Sequence, residues 1–334
     1  SLTNRSYNLF DYVGAYDAEQ IIISMASSTE TIEKTIVHLN NNGNKFGLIK
    51  VRLFRPFSTK HLLQALPKTT KSVAVLDRTK EAGSNGEPLY LDILKSIFEA
   101  YQNNKISTFP KVVGGRYGLS SKEFTPSMVN AIFNNLKQYQ PKNNFTVGIN
   151  DDVKNLSLDI SESIHIDNSC YKAIFYEEKN TKLSESFTNT LKIISKKENT
   201  FTQGYIKCDY KKANTFNIAH LRIDNKQIKA PYLIEQADFI GCQKAIFIIK
   251  DNTLKNLKSG GTLLVNSSLT SKAFWHSLTV NIQREIITKR INLLIVNISA
   301  IEKLELLKNE TISELHACFL ALKKDLTFSE SIHD

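Results

Sequence analysis

Short apolar runs rich in β-branched residues alternate with helix-like segments through the first half of this 334-residue chain. The runs Gln20–Met25 and Ser72–Asp77 have the length and composition of buried strands, and each is followed by a segment with helix-starting residues. Parallel strands need long crossover connections, which are usually helices. The alternation therefore predicts an α/β fold with a parallel sheet that is covered on both faces.

The predicted elements of the first half have clear local signals. Hydroxyl residues shortly before Glu30 and Glu33 favour a helix start, and Pro126 occupies an early helical position where proline is preferred. In chain order we predict strand Gln20–Met25, a helix from Ser27 to Asn40, strand Lys45–Phe54, helix Ser58–Leu66, strand Ser72–Asp77, helix Pro88–Tyr101, strand Lys111–Gly114 and helix Thr125–Gln138.

The acidic and polar residues 151–168 interrupt this alternation, so two domains are predicted, at 1–150 and 165–330. The second half begins with strand-like pieces separated by polar turns, and the strand–helix alternation then resumes. We predict strands Tyr171–Glu177, Thr202–Tyr210, Thr215–Ile223 and Ala245–Ile249, a short helix Thr253–Lys258, a turn at Gly260–Gly261, strand Thr262–Asn266, helix Ala273–Arg290, strand Ile291–Ile298 and helix Ile312–Lys323.

Composition argues against several classes of protein. The sequence has no uninterrupted apolar run of about 18 residues, and the polar start Ser1–Ser6 does not resemble a secretory signal, so we expect no membrane association. The net charge of +10 comes from scattered lysines with acidic neighbours, which does not predict nucleic-acid binding. The expected compartment is the cytoplasm or an organelle lumen.

The sequence contains no recognisable metal or nucleophile motif. The four cysteines are far apart and form no Cys-x-x-Cys pair, which predicts neither a zinc site nor an iron–sulfur cluster. The histidines have no metal-ligand spacing, and His220 alternates with apolar neighbours as a structural histidine would. No Gly-x-Ser-x-Gly or His-Glu-x-x-His pattern occurs. We predict no catalytic residue and no metal ligand in this chain.

Two stretches, Val75–Asp92 and Val113–Pro126, place glycines and charges directly after predicted strands. In an open α/β sheet, ligands and neighbouring domains dock at the carboxyl ends of the strands. Gly83 and Gly86 permit tight turns, and the functional interpretation of this loop is anion or cofactor binding. The glycine spacing fits neither a Walker loop nor a dinucleotide fingerprint.

Both stretches closely resemble the pyruvate:ferredoxin (flavodoxin) oxidoreductase family, thiamine-diphosphate enzymes that decarboxylate 2-oxoacids. The same resemblance extends to Phe10–Glu19, Phe145–Val153, Gln203–Tyr205, His220–Arg222, Pro231–Ile234, Ala237–Phe239 and Gly260–Asn266. It implies a transketolase C-terminal-like parallel-sheet domain followed by a gamma-type α/β domain.

The resemblance also suggests roles for individual residues. In the first domain it implies a structural and docking role for Arg78, Lys80, Glu87, Arg116 and Tyr117. In the gamma-like domain, Arg222, Lys244 and Asn266 are weak candidates for coenzyme A contacts because they occupy family-like positions.

One departure from the family pattern weakens the coenzyme A prediction. Relatives carry a glycine-dense loop, Gly-Leu-Gly-Ser-Asp-Gly-Thr-Val-Gly-Ala-Asn-Lys, that would let the backbone approach a phosphate. Here the corresponding stretch, Glu177–Thr188, contains no glycine, and Glu177 and Glu178 add negative charge. An anionic ligand there is disfavoured unless a cation compensates.

The resemblance implies that the cofactors lie elsewhere. Thiamine diphosphate, Mg and iron–sulfur clusters are expected in other domains or subunits, so this chain is a middle portion that is inactive alone. Its expected partners are those domains or subunits, in a homo-oligomer when complete, in the cytoplasm or the lumen of an anaerobic mitochondrion-related organelle.

Two alternatives remain open. The chain could be the related region of a sulfite reductase flavoprotein subunit, which the lost glycine loop favours and the retained first-domain loops disfavour. It could also be a catalytically decayed scaffold relative, since fold resemblance does not fix function.

Overall fold

The structure is a computed structural model that describes residues 7–150, 153–160, 163–166, 170–178, 183–208, 216–250, 253–298 and 312–323. The chain divides into two compact units. Unit 1 comprises Ser1–Ile166 with Lys229–Leu233, and unit 2 comprises Asp167–Ile228 with Ile234–Asp334. Each unit contains one six-stranded sheet, and parallel pairs dominate in both. The predicted α/β fold class is confirmed.

Unit 1 follows the predicted alternation of strands and helices. Its elements are β1 (Phe10–Gly14), β2 (Gln20–Met25), α1 (Ser28–Asn41), β3 (Phe46–Val51), α2 (Thr59–Ala65), β4 (Ser72–Asp77), α3 (Pro88–Gln102), β5 (Lys111–Arg116), α4 (Pro126–Leu136) and β6 (Phe145–Thr146). The strand order is β1-β3-β2-β4-β5-β6. Strand β1 is antiparallel to β3, and the other neighbours are parallel.

The sheet of unit 1 is buried on both faces. In β2, Ile22 packs in a core with residues of α1 and α4, whereas Ile21 and Ile23 pack in a second core with residues of α2 and α3. In the first core the rings of Phe46 and Phe133 stack with centroids 3.9 Å apart. Burial on both faces explains why the strands are continuous apolar runs rather than alternating ones.

The glycine pair of β5 is explained by close packing. A Cβ atom on Gly114 would lie 2.9 Å from the Tyr90 ring, and one on Gly115 would lie 2.2 Å from the Phe145 ring. Both rings are buried. The two aromatic side chains therefore occupy the space that side chains on these strand residues would need.

Unit 2 combines a parallel half with an antiparallel half. Its elements are β7 (Tyr171–Glu178), α5 (Leu183–Ser195), β8 (Phe201–Lys207), β9 (Phe216–Asp224), β10 (Ala237–Cys242), α6 (Ile246–Lys250), β11 (Leu257–Asn266), α7 (Ser271–Ser277), α8 (Val280–Thr288), β12 (Asn292–Val296) and α9 (Glu314–Leu322). The order is β12-β11-β10-β7-β9-β8, parallel from β12 to β7 and antiparallel beyond.

Helices cover both faces of the second sheet. One core joins the sheet to residues of α6, α7 and α8, and the other joins it to residues of α5 and α9. In β7, Ile174 packs in the first core and Phe175 in the second. No helix among the described residues is long and apolar enough to cross a lipid bilayer.

The predicted strand Ala245–Ile249 is wrong. These residues lead into helix α6, and the strand of this region is β10, which precedes it. Phe247 and Ile248 are buried, whereas Ile246 and Ile249 are about half exposed. A run of five apolar residues is too short to show the periodicity that distinguishes a strand from one face of a helix.

Three other predictions for the second half need correction. The stretch predicted as a polar turn before β8 contains helix α5, Gly260–Gly261 lies inside β11, and the predicted helix Ala273–Arg290 is two helices, α7 and α8. Gly260 has a φ of +75°, and the register of β11 against β10 shifts there, so the glycine pair forms a bulge rather than a turn.

Other boundaries differ by a few residues or fall outside the described ranges. Strands β1 and β6 were not predicted from the sequence. Residues 209–215, which include the end of predicted strand Thr202–Tyr210 and the start of predicted strand Thr215–Ile223, lie outside the described residues. The predicted domain limits, 1–150 and 165–330, stay predictions.

Candidate functional site

Unit 1 has a divergence point between β2 and β4. These two parallel strands are neighbours, but β2 connects through α1 to β3 on one side, whereas β4 connects through α3 to β5 on the other. In open α/β sheets, the crevice outside the carboxyl ends of such strands is the usual ligand site. Here it lies beyond Met25 and Asp77.

A buried network of hydroxyl groups lies at this divergence point. The Tyr117 hydroxyl donates to Oγ of Ser28 over 3.0 Å, and Oγ of Ser28 lies 2.8 Å from Oγ of Ser24. All three side chains are buried. The predicted docking residue Tyr117 thus makes its hydrogen bond within unit 1, beside the start of α1.

Asp77 fixes the start of α3 to the end of β4. Its carboxylate accepts the backbone N–H groups of Leu89, over 3.0 Å, and of Tyr90, over 3.1 Å. These groups belong to the first turn of α3, where N–H donors lack helical partners. Burial raises the pKa of the Asp77 carboxyl above its usual range, although the two N–H groups favour the charged form.

A buried ion pair joins the loop before α3 to the end of β5. Nη1 of Arg116 lies 3.3 Å from Oε1 of Glu87, and Nη2 donates to the Asn144 carbonyl over 2.8 Å. Oε2 of Glu87 accepts the N–H of Glu81 over 2.6 Å. Two more predicted docking residues, Glu87 and Arg116, therefore hold the geometry of this edge of the sheet.

A cavity of about 350 Å³ lies beside this ion pair. Its lining includes Lys80, Glu81, Glu87, Arg116 and Lys154, together with the glycine-bearing loop 83–86. The cavity brings three of the five predicted docking residues, Lys80, Glu87 and Arg116, to one place.

The remaining docking candidate, Arg78, is on the surface of unit 1. Its Nε donates to the Gly118 carbonyl over 3.0 Å, and both Arg78 and Lys80 are exposed. The docking role of the five residues stays a prediction, and the surface positions of Arg78 and Lys80 suit it better than the buried ones do.

Unit 2 has its own divergence point, between β7 and β10. The connection from β7 passes through α5 on one face, and the connection from β10 passes through α6 on the other. The carboxyl ends of these strands are at Glu178 and Cys242. A ligand of this unit is expected at these carboxyl ends.

Two of the three coenzyme A candidates, Lys244 and Asn266, lie at the carboxyl ends of the strands. Nζ of Lys244 forms an ion pair with Oε1 of Glu178 over 2.5 Å. Asn266, at the end of β11, donates to the Gln243 carbonyl over 3.1 Å and accepts the N–H of Ile298 over 3.0 Å. Gln243 in turn accepts the N–H of Glu178 over 2.7 Å. Lys244 and Asn266 are thus linked through Gln243.

The third candidate, Arg222, lies near the amino end of β7, at the opposite end of the parallel strands from Lys244 and Asn266. It pairs with Lys172 at the start of β7, six positions before Glu178. At a rise of about 3.3 Å per residue, these two positions along β7 are roughly 20 Å apart. Nη1 of Arg222 lies 3.3 Å from Oε1 of Gln203. The structure brings Lys244 and Asn266 together but does not add Arg222 to them.

The acidic replacement of the family's glycine loop has a partner in the structure. Lys244 compensates the charge of Glu178, and both side chains are about half exposed. Residues 179–182 of that loop lie outside the described residues. The lysine that would attract a phosphate is already paired with a carboxylate.

Sequence reasoning missed a buried polar cluster in unit 2. Oγ of Ser186 lies 3.0 Å from Nδ1 of His316, and Nε2 of His316 lies 2.9 Å from Oε1 of Glu177. The imidazole packs against the rings of Phe175 and Phe187. The cluster resembles a nucleophile–base–acid arrangement, but His316 is wholly buried, so substrate has no access to it. No sequence spacing could reveal it, because its members come from β7, α5 and α9.

His220 is buried on β9 of the same unit. Its Nδ1 accepts the N–H of Ile234 over 3.3 Å. Burial, together with the charges of Arg222 and Lys207, lowers the pKa of the imidazole to about 3. The ring is therefore a neutral acceptor at physiological pH.

The described residues contain no group of three or more His, Cys, Asp or Glu side chains that could hold a metal ion. Cys170 and Cys242 are buried thiols, and burial raises the pKa of Cys242.

Comparison with known proteins identifies the chain's relatives. Residues 18–121 match the family model described as pyruvate:ferredoxin oxidoreductase core domain II, and residues 185–322 match the model described as pyruvate ferredoxin/flavodoxin oxidoreductase. Over 332 residues, 99% of the chain, it is 41% identical to the pyruvate-flavodoxin oxidoreductase of Trichormus variabilis. The chain belongs to the pyruvate:ferredoxin (flavodoxin) oxidoreductase family. The resemblance stated from the sequence is confirmed.

The chain spans about a quarter of the length of these oxidoreductases. It covers 28% of the Trichormus protein. It is also 45% identical over 304 residues to the pyruvate:ferredoxin oxidoreductase of Moorella thermoacetica, which corresponds to 90% of this chain and 25% of that protein.

Both candidate sites fall within segments matched to the oxidoreductase family. The Glu87–Arg116 pair lies in the core domain II match, and Lys244 and Asn266 lie in the second match. A solved structure of the pyruvate oxidoreductase subunit PORC from Thermotoga maritima aligns with 49% of this chain and 82% of that chain at 12% identity and a TM-score of 0.36, too low to support an argument.

Proposed function

We propose that this chain supplies two framework domains of a pyruvate:ferredoxin (flavodoxin) oxidoreductase that oxidatively decarboxylates pyruvate to acetyl-CoA. Unit 1 corresponds to the transketolase C-terminal-like domain and unit 2 to the gamma domain. The observation that carries the proposal is the 41% identity over 99% of the chain to a protein named pyruvate-flavodoxin oxidoreductase, of which the chain covers 28%.

The chemistry of the reaction is proposed to reside outside these two units. Thiamine diphosphate, Mg²⁺ and iron–sulfur clusters are held by other domains or subunits, which are the partners of this chain in a homo-oligomeric enzyme. Two features support a framework role. The buried hydroxyl network of Tyr117 lies at the divergence point of unit 1, and the Glu178–Lys244 ion pair lies at that of unit 2.

A segment exchange tests this function. The matched quarter of the Moorella thermoacetica enzyme is replaced by this chain, and pyruvate-dependent reduction of an electron acceptor is measured. We expect the chimera to retain activity, because the exchanged segment shapes the enzyme without carrying its cofactors. The 334-residue chain alone, supplied with pyruvate, coenzyme A, thiamine diphosphate and Mg²⁺, should release no carbon dioxide.

The outcomes separate the alternatives. Carbon dioxide release by the chain alone would overturn the framework proposal. A chimera that assembles with all its cofactors but lacks activity would favour the decayed scaffold. The sulfite reductase alternative depends on the lost glycine loop, part of which lies outside the described residues, and no structural observation favours it.

A further inference from the structure

The cavity of unit 1 is large enough for more than a single water molecule. Its volume of about 350 Å³ lies between the loop 80–87, Arg116 at the end of β5, and the residues Asn144, Lys154 and Leu156. One water occupies about 30 Å³ of the liquid. The lining is polar apart from Leu156 and the glycines, which excludes a large apolar ligand and suits a small polar one.

The charges that line the cavity favour an anion. Lys80, Arg116 and Lys154 carry positive charge, and Glu81 and Glu87 carry negative charge. Both carboxylate oxygens of Glu87 are already used, one by Arg116 and the other by the N–H of Glu81. Among the lining residues that the structure describes, three are cations and two are carboxylates.

Arg116 has an unsatisfied donor beside the cavity. The residue is 8% exposed, and its two terminal nitrogens have partners in Glu87 and Asn144. Its Nε is buried and donates to no acceptor among the described residues. Buried donors in native proteins almost always have partners, so a buried N–H without one implies an acceptor that belongs to the site.

We propose that this cavity binds a small oxyanion, a phosphate or carboxylate group, with Arg116 as the central donor and Lys80 at the rim. A guanidinium group suits this task because it is planar, always charged and rich in donors directed toward oxygen acceptors. The loop that faces Arg116 is held in place by the Glu81–Glu87 hydrogen bond and by the packing of Gly86 against Tyr90. The site thus requires little reorganisation on binding.

Arginine side-chain resonances give a direct test on the full 334-residue chain. The protein is labelled with ¹⁵N-arginine and titrated separately with inorganic phosphate and with acetate, at constant ionic strength set by chloride. We expect a saturable shift of the Arg116 Nε–Hε resonance, which is assigned by its disappearance in Arg116→Lys.

Two lysine variants provide a matched comparison. Lys80→Gln removes a charge from the lining and should weaken binding about three- to fivefold, the size expected for a solvent-exposed charge. Lys60→Gln removes the same charge from the exposed surface of α2, outside the lining, and should leave the affinity unchanged. Both variants should melt at the same temperature as the parent.

Each result bears on the proposal. Saturation by phosphate alone identifies a phosphate ligand, and saturation by acetate alone identifies a carboxylate. The proposal is overturned if neither anion shifts the resonance saturably, or if Lys60→Gln weakens binding as much as Lys80→Gln. Should Arg116→Lys fail to fold, the lysine pair still decides the outcome through calorimetric titration.

Discussion

Burial has opposite effects on the pKa values of Asp77 and His220. It raises the pKa of the carboxyl and lowers that of the imidazole, since in both cases it disfavours the charged form. Asp77 recovers part of the cost by accepting two N–H groups of α3, whereas Nε2 of His220 has no hydrogen-bond partner among the described residues. His220 is therefore the clearer source of pH-dependent stability.

We expect His220 to make the protein acid-sensitive. Its pKa is about 3 in the folded state and about 6.5 in an unfolded chain, so the unfolded state binds the extra proton between these values. The stabilisation is complete above pH 6.5 and is lost as the pH falls toward 3, by about 1.4 kcal/mol per pH unit. In urea denaturation between pH 7 and 4, the free energy of unfolding of His220→Gln should fall less steeply with decreasing pH than that of the parent protein.

The exposed His165 provides the control for this experiment. His165→Gln should unfold with the pH dependence of the parent protein, because it removes an exposed histidine and leaves the buried His220 in place. If the stability of His220→Gln fell as steeply toward acidic pH as that of the parent, His220 would not be the source of the acid sensitivity.

The ion pair between Glu178 and Lys244 predicts weak coenzyme A binding. Both partners are about half exposed, so their coupling is at most about 1 kcal/mol. Glu178→Gln frees the lysine, and we expect it to tighten coenzyme A binding up to about fivefold in calorimetric titration. Glu198→Gln, an exposed change after α5, should have no effect. Micromolar binding by the parent would show that the ion pair does not suppress the site.

At the scale of elements, strands with buried partners on both sides were predictable from sequence. The limits of β2 and β4 coincide with the predicted limits because turn or helix-starting residues bound each β-branched run. The short helix α6 was mistaken for a strand, because five apolar residues do not define a period. Helix α5 was missed although Phe187, Leu191 and Ile194 lie on one buried face, because the neighbouring residues are polar.

The glycine pair of β5 gives a prediction at this scale. Gly115→Ala should destabilise unit 1 by about 1–3 kcal/mol, because the added methyl group would overlap the fully buried ring of Phe145. Urea denaturation measures the loss. The double variant Gly115→Ala with Phe145→Leu should lose less than the sum of the two single changes, since the smaller side chain makes room for the methyl group. Strict additivity would show that the ring does not determine the choice of glycine.

At the scale of the whole molecule, the sequence predicted an α/β fold for both halves but not how the candidate residues meet. Lys244 follows β10, and Asn266 ends the neighbouring parallel strand β11. The sequence placed Lys244 before a strand, at Ala245–Ile249, so the predicted alternation did not reveal that the two residues are close. Arg222 lies on β9, which runs antiparallel to β7, so Arg222 lies beside the amino end of β7. No local sequence pattern reveals the direction of β9. The cavity of unit 1 likewise depends on Asn144 and Lys154, which are distant in sequence from the loop they face.

An exposed aromatic surface is a property of the whole molecule. Phe98 and Tyr101 of α3 and the nearby Phe109 are each about half exposed, and the ring of Phe109 contacts each of the other two edge to face. Such a patch promotes association of the isolated chain. Phe98→Gln should lower the fluorescence of a bound hydrophobic dye and raise the solubility without loss of stability. Unchanged dye fluorescence would mean that this surface is not accessible.

The cluster of Glu177, Ser186 and His316 constrains how unit 2 is made. The carboxylate belongs to the first strand of the unit and the imidazole to its last described helix, 139 positions later along the chain. On the ribosome, the first strand emerges long before the helix that covers its acidic end. Unit 2 should therefore stay open to proteases until its final segment has been synthesised, and pulse proteolysis of stalled nascent chains would show when it closes.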